Sequence, residues 1–271
     1  MGVLEWLGSW IPAKQKPANK KQPFVVTVDG LIGVGKTDTV KELTRVLEER
    51  KFKVVFREEH VQRWLDDRLL QLMYGAGKAS NDREVRSAAT SVFNILGPMV
   101  DFAKRRVENA KLTDVDVVIE ERSAATTQQI FNLVSKDPNY AASELLPEHE
   151  RAMDSLFSFI DSLLDGQLLK PADFMIYLHA NEGLCLQRMA SRARDSESSS
   201  LSAGDMTILK EAHDQFFADY PLPDTHKLKF SSDQAAEELQ AAGCTDEIQP
   251  VHPSPRQIAV VLADRIEAVI V

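Results

Sequence analysis

The sequence predicts an α/β fold, a parallel β-sheet with helices packed on both of its faces. Three observations predict it. Apolar runs of strand length alternate with longer stretches of helical periodicity. The first four of those runs are apolar at nearly every position, as in strands covered on both sides, and not at every second one. The first run, "FVVTVD", also leads straight into "GLIGVGKTDT", a glycine-rich loop followed by a helical pattern.

Taken in chain order, the leading segment "IPAKQKPANKKQ" is basic and proline-containing, so residues 1–22 read as a flexible tail ahead of a single domain spanning 23–271. Phe24 to Val28 is the first expected strand. The loop behind it fits G-x-x-x-x-G-K-[ST] at Gly30, Gly35, Lys36 and Thr37, with Gly33 inside it. In such a loop successive backbone N–H groups point at phosphate oxygens, the lysine neutralises the β and γ phosphates, and the hydroxyl ligates Mg²⁺. Thr37 to Glu49 then carries Val40, Leu43, Val46 and Leu47 at helical spacing. Strands are expected next at "KVVF" (Lys53 to Phe56), "VDVVI" (Val115 to Ile119), "DFMIYL" (Asp173 to Leu178) and "KLKF" (Lys227 to Phe230). Val85 to Val107 reads as one long helix, and Glu148 to Leu164 as another with Met153, Leu156, Phe157, Ile160 and Leu164 along one stripe. Residues 233–250, polar and alanine-rich, read as an insertion, and "RQIAVVLADRIEAVIV" as a closing helix packed on the sheet.

Composition narrows the function. A formal net charge of −9 argues against a long nucleic-acid partner, which needs a basic surface, but permits a small phosphate ligand held by a local nest of amides and arginines. No apolar run is long enough to cross a membrane. Cys185 and Cys244 show no metal-ligand spacing, which fits a reducing intracellular compartment, the cytoplasm ahead of the mitochondrion.

A phosphate loop names a donor but not an acceptor. The acceptor site belongs near the carboxyl ends of the strands, where open α/β sheets place their ligands. Three charged groups follow predicted strands: "REEHVQRW", "EERSAATTQQIF" and "LQRMASRARDSES". Each alone could be a solvated face or a surface ion pair. Together, behind a phosphate loop, they outline a site.

These residues resemble the deoxynucleoside kinases over about Phe24 to Asp219. "EHVQRW" is similar to that family's E-P-V-E-K-W, with Glu59 and Trp64 at matching places, and "LLQLMY" ends on Tyr74 as in L-L-E-L-M-Y. "ERS" (Glu121 to Ser123) matches E/D-R-S, with Phe131 at its usual distance, and "RMASRARDSES" follows an arginine-bearing lid. The resemblance implies a P-loop kinase fold, with a five-stranded parallel sheet, helices on both faces and an arginine-rich lid. It implies nucleotide salvage by ATP-dependent phosphorylation of a deoxynucleoside 5′-hydroxyl, with Mg²⁺, in a homodimer. By resemblance Glu59 is the general base, with Arg122 and Lys36 beside it as catalytic groups. Thr37 and Glu121 position the metal, and Gly30, Gly33, Gly35, Lys36, Thr37, Arg188, Arg192 and Arg194 hold ATP. Glu59, Trp64, Tyr74, Asn94, Arg122, Phe131 and Glu197 hold the nucleoside. His60 stands where the family usually has proline, Asn94 where it has glutamine, Asp38 where it has a small hydroxyl residue, and Thr127 where base preference is set.

Two other functions use similar parts. A nucleoside monophosphate kinase would need positive charge for the acceptor's own phosphate, which Glu59 would repel. A non-catalytic kinase-fold subunit, as in respiratory complex I, would use the basic tail and residues 233–250 as contact surfaces, but would be free to lose the charged residues retained here.

Overall fold

The computed structural model describes residues 22–59, 82–92, 97–140, 145–168, 170–191, 201–232 and 254–270. The apolar runs form five strands: β1 (Phe24–Gly30), β2 (Val54–Arg57), β3 (Val117–Glu121), β4 (Phe174–His179) and β5 (Lys227–Ser231). They pair in parallel in the order β2-β3-β1-β4-β5. Val26, Val28, Val117, Val118, Ile119, Ile176 and Leu178 are fully buried, so the central strands are covered on both faces, as their unbroken apolarity requires.

Helices α1 (Lys36–Glu49), α2 (Arg83–Thr90), α3 (Gly97–Asn109), α4 (Pro147–Leu163), α5 (Glu182–Ser191), α6 (Ala203–Asp219) and α7 (Pro255–Ile270) surround the sheet. α1 follows from its stripe: Val40, Leu43, Val46 and Leu47 are buried, and Gly35 in the left-handed region (φ 98°) turns the chain into it. α6 starts on a capping box in which Ser202 and Asp205 satisfy each other's backbone N–H groups. Between β3 and α4 the chain makes a short helical run with a π-helical turn at Thr127–Phe131.

One expectation changes. β3 runs to Glu121, two residues past the predicted end, because Glu120 and Glu121 are both buried and paired inside the fold. The stretch expected as one helix over 85–107 is helical in α2 and α3, and residues 93–96 between them lie outside the described residues. The closing helix α7 packs along α1. Ile258, Leu262 and Ile266 enter the main core, while Arg50 of the α1 end pairs with Asp264 at 2.6 Å and Glu267 at 2.8 Å.

A second, smaller core holds Met99, Phe102, Ala124, Leu145, Phe157 and Leu168, and joins α3 to α4. The tail before residue 22 and the insertion at 233–250 lie outside the described residues.

Candidate active site

A parallel sheet puts all carboxyl ends along one rim, and the register fixes which residues meet there. Val28 pairs with Glu121, Gly30 with Leu178, and Arg57 with Glu120, so the ends of β1, β2 and β3 are level. β1 is also where the strand order reverses direction, the place where open α/β sheets bind ligands.

The phosphate loop leaves β1 at Gly30. At Gly33 (φ 81°) a Cβ would stand 2.5 Å from the Cys185 carbonyl oxygen of α5, so only glycine lets the loop pack that closely. Gly35 completes the curl, and the first turn of α1 presents amide groups with no partner inside the helix, the usual seat for a phosphate. Lys36 is buried and its ammonium donates to the carbonyls of Gly30 and Leu31, both at 3.0 Å. Those bonds use two of three N–H donors. Burial, and then the Arg122 charge, push the Lys36 pKa below its ordinary value against the pull of Glu59, Glu121 and Asp29. Arg188 of α5 reaches the same loop and donates from Nη1 to the Val34 carbonyl at 2.9 Å.

Opposite the loop stands the end of β3. Glu121 accepts a 2.8 Å hydrogen bond from the Thr37 hydroxyl through Oε1, while its Oε2 is buried with no hydrogen-bond partner among the described residues. Burial and the nearby Glu59 charge raise its pKa. Arg122 follows with φ 64°, a left-handed backbone that a non-glycine residue adopts at a cost of about 1 kcal/mol or more. This turn swings the guanidinium back over the rim, and the Arg122 N–H donates to the Val28 carbonyl at 3.0 Å. Its Nε donates to Glu59, its Nη1 lies 3.4 Å from Asp29 Oδ1, and its plane lies 5.0 Å from the centre of the Phe131 ring. Burial alone would lower the pKa of Arg122, but the charges of Glu59 and Asp29 outweigh it and raise it.

The structure therefore brings Gly30, Gly33, Gly35, Lys36, Thr37, Glu59, Glu121, Arg122, Phe131 and Arg188 to one rim. Trp64, Tyr74, Asn94, Arg192, Arg194 and Glu197 lie outside the described residues. Glu120, grouped with Glu121 in the sequence, points to the other face, where its Oε1 accepts from Asn109 at 2.8 Å.

Sequence reasoning missed two residues at this rim. Asp29 is fully buried directly ahead of the loop, and a carboxylate closing an apolar strand was the available signal. Arg105 of α3 pairs with Asp101 at 2.7 Å and donates to the Glu58 carbonyl, fixing the backbone just before Glu59. Nothing in the helical pattern of α3 marked it.

The donor set fits a magnesium ion. Among the described residues no three of His, Cys, Asp and Glu cluster as a metal cage. A hydroxyl and one unsatisfied carboxylate oxygen beside a phosphate loop suit Mg²⁺, which keeps waters and phosphate oxygens as its other ligands.

A family model described as deoxynucleoside kinase matches residues 26–248. The chain belongs to the deoxynucleoside kinase family. That family is one of kinases. A stretch of 144 residues is also 31% identical to the "Signal recognition particle 54 kDa protein" of Pyrobaculum aerophilum, covering 50% of this chain and 30% of that protein. No helix among the described residues is long and apolar enough to cross a membrane.

Proposed function

We propose that the chain transfers the γ-phosphoryl group of ATP to the 5′-hydroxyl of a deoxynucleoside. The observation that carries this reading is the contact of Glu59 with Arg122 at the rim facing Lys36 and Thr37. A carboxylate there accepts the proton of the attacking hydroxyl and orients its oxygen, a contribution of roughly 10²–10⁴-fold. It also disfavours an acceptor that already carries a phosphate, which separates this function from that of a monophosphate kinase.

Arg122 holds the same hydroxyl side and stabilises charge on the phosphoryl group in flight. It is pre-set for that by two carboxylates and the Phe131 ring, so little reorganisation is needed during transfer. Lys36 exchanges its loop carbonyls for phosphate oxygens when ATP enters, and Arg188 sits beside the loop to meet the same phosphates. Thr37 and Glu121 would hold Mg²⁺, which would supply positive charge against the negative charge of the phosphates. Phe131 offers an aromatic edge to the nucleoside. Trp64, Tyr74, Asn94 and Glu197 are proposed for the base and sugar, and Arg192 and Arg194 for the lid.

The test is a phosphorylation assay with ATP and Mg²⁺ on thymidine, deoxycytidine, deoxyadenosine and deoxyguanosine, each beside its 5′-monophosphate. Turnover of at least one nucleoside and none of the monophosphates is expected. Activity confined to the monophosphates, or no activity and no ATP binding, overturns the proposal.

A further inference from the structure

Asp29 and His213 are two buried ionisable groups that the mechanism above does not use. Asp29 is 0% exposed and His213 2%. A carboxylate removed from water costs several kcal/mol unless charges and donors around it compensate, so its neighbours are informative. Oδ1 accepts from the Gly30 N–H at 2.8 Å, lies 3.4 Å from Arg122 Nη1, and lies 3.6 Å from His213 Nε2. Oδ2 accepts from the Thr126 hydroxyl. Four different elements thus converge on one carboxylate: the phosphate loop, the turn after β3, the helical run behind it, and α6.

We propose that Asp29 is the positioning residue of Arg122, and that His213 completes its surroundings, setting α6 against the base of the phosphate loop. This rests on the reading of Arg122 as the group that meets the transferred phosphoryl.

The guanidinium geometry supports the assignment. Glu59 takes the Nε–H on one side and Asp29 faces Nη1 on another, while Phe131 lies over the plane. A guanidinium carries five N–H donors in a rigid fork. Fixing Nε and Nη1 sets the direction of Nη2, for which no acceptor is found among the described residues. The left-handed backbone at Arg122 needs that support, because the turn is otherwise unfavourable for a residue with a side chain. Asp29 stays ionised to provide it. Burial would raise its pKa, but the contact with His213, the charge of Arg122 and the Thr126 hydroxyl hold it well below the usual carboxylate range.

His213 is held through its other nitrogen. Its Nδ1 faces the Leu209 carbonyl at 2.7 Å and so donates to it, since a carbonyl can only accept. The ring stacks on Tyr177 at 5.9 Å with 11° between planes, leaving Nε2 3.6 Å from Asp29 Oδ1 with no hydrogen bond among the described residues, an approach that attracts the carboxylate only when the ring carries both protons.

The test uses the full chain, with Asp29→Asn and His213→Phe. Asparagine keeps the shape and one acceptor oxygen for the Gly30 N–H, turns its amide NH₂ to the Thr126 hydroxyl oxygen, and cancels the charge. Phenylalanine keeps the ring over Tyr177 and removes both nitrogens. The first readout, independent of activity, is hydrogen exchange of the Arg122 Nε–H by NMR. It should accelerate at least tenfold in Asp29→Asn and less in His213→Phe, with unchanged exchange in both overturning the proposal. The second is kinetics. Asp29→Asn should lower kcat about tenfold or more with KM for ATP within about twofold, since a loss confined to kcat marks an interaction made in the transition state. In an Arg122→Lys background the same change should cost less than about twofold, because residues acting as one unit are not additive. Full additivity overturns the proposal. If Asp29→Asn does not fold, His213→Phe decides by the same two readouts. If the wild-type chain phosphorylates no nucleoside, the proposed function fails while the exchange result still reports on Asp29.

Discussion

Glu120 and Glu121 are neighbours on one strand, equally buried at 1% exposure, and serve opposite ends. Strand alternation sends them to different faces. Glu120 turns toward α3, where Asn109 donates at 2.8 Å, Arg106 stands at 3.4 Å, and Arg57 pairs with Glu108 at 3.0 Å. Glu121 turns toward the phosphate loop, where its neighbours are the Thr37 hydroxyl, the Glu59 carboxylate and the cations Lys36 and Arg122. Each leaves its Oε2 without a hydrogen bond among the described residues. The difference is in what each set faces. Around Glu120, Arg57 and Arg106 answer Glu108 and Glu120, a closed set that holds α3 to the sheet. Around Glu121 the carboxylates and cations line a phosphate loop, where a helix N-terminus and a lysine ammonium suit an anionic ligand. Burial of a charge, even with one unbonded oxygen, is therefore no sign of function by itself; the loop that it faces is the more informative feature.

That comparison can be broken from the active side first. Glu59→Gln should lower kcat by roughly 10²-fold or more with a smaller change in ATP affinity. Near-normal turnover in steady-state assays would remove Glu59 from the mechanism. Lys36→Ala should weaken both ATP binding, read by calorimetry, and turnover, because the loop then lacks its one buried ammonium. Glu121→Gln should raise the Mg²⁺ concentration needed for half-maximal rate about tenfold or more, as loss of an anionic ligand does. A magnesium requirement equal to that of the wild type would place the ion elsewhere.

Glu120→Gln sharpens the comparison from the other side. It should leave kcat within about twofold yet lower stability by about 1–3 kcal/mol, the usual cost of disturbing a buried charged hydrogen bond. Urea denaturation measures it, and a stability equal to wild type would show that the closed set contributes nothing. The smallest expected effect concerns pH. Asp29 has a folded pKa below its unfolded one, so its contribution to stability is fully present above about pH 4 and fades as the pH falls through the lower folded value. Asp29→Asn should accordingly flatten the acid side of the stability profile, measured by melting temperature between neutral and strongly acidic pH.

Much of the fold was legible because it is written in local patterns. The phosphate loop, the stripe of α1 and the apolar strands each depend on residues close in the chain, and all appear where the spacing placed them. β3 ran long because a strand-length rule stops at the last apolar residue, whereas two glutamates with buried partners can continue the ladder. Arg105, Asp29 and His213 escaped notice for a related reason. A lone charged residue within a strand or helix looks like any other until its distant partner is known.

The sequence by itself determined the class of fold, the phosphate loop and the set of charged residue types gathered behind the strands. The reason is that backbone periodicity and glycine geometry act within a few residues. Only the tertiary structure decided the strand order, which of two adjacent glutamates faces the loop, and how Arg122 is held. Arg122 meets Glu59 across 63 residues of chain and Asp29 across 93, and distances in sequence of that size carry no local signal. Such contacts exist only once the sheet has aligned the ends of its strands.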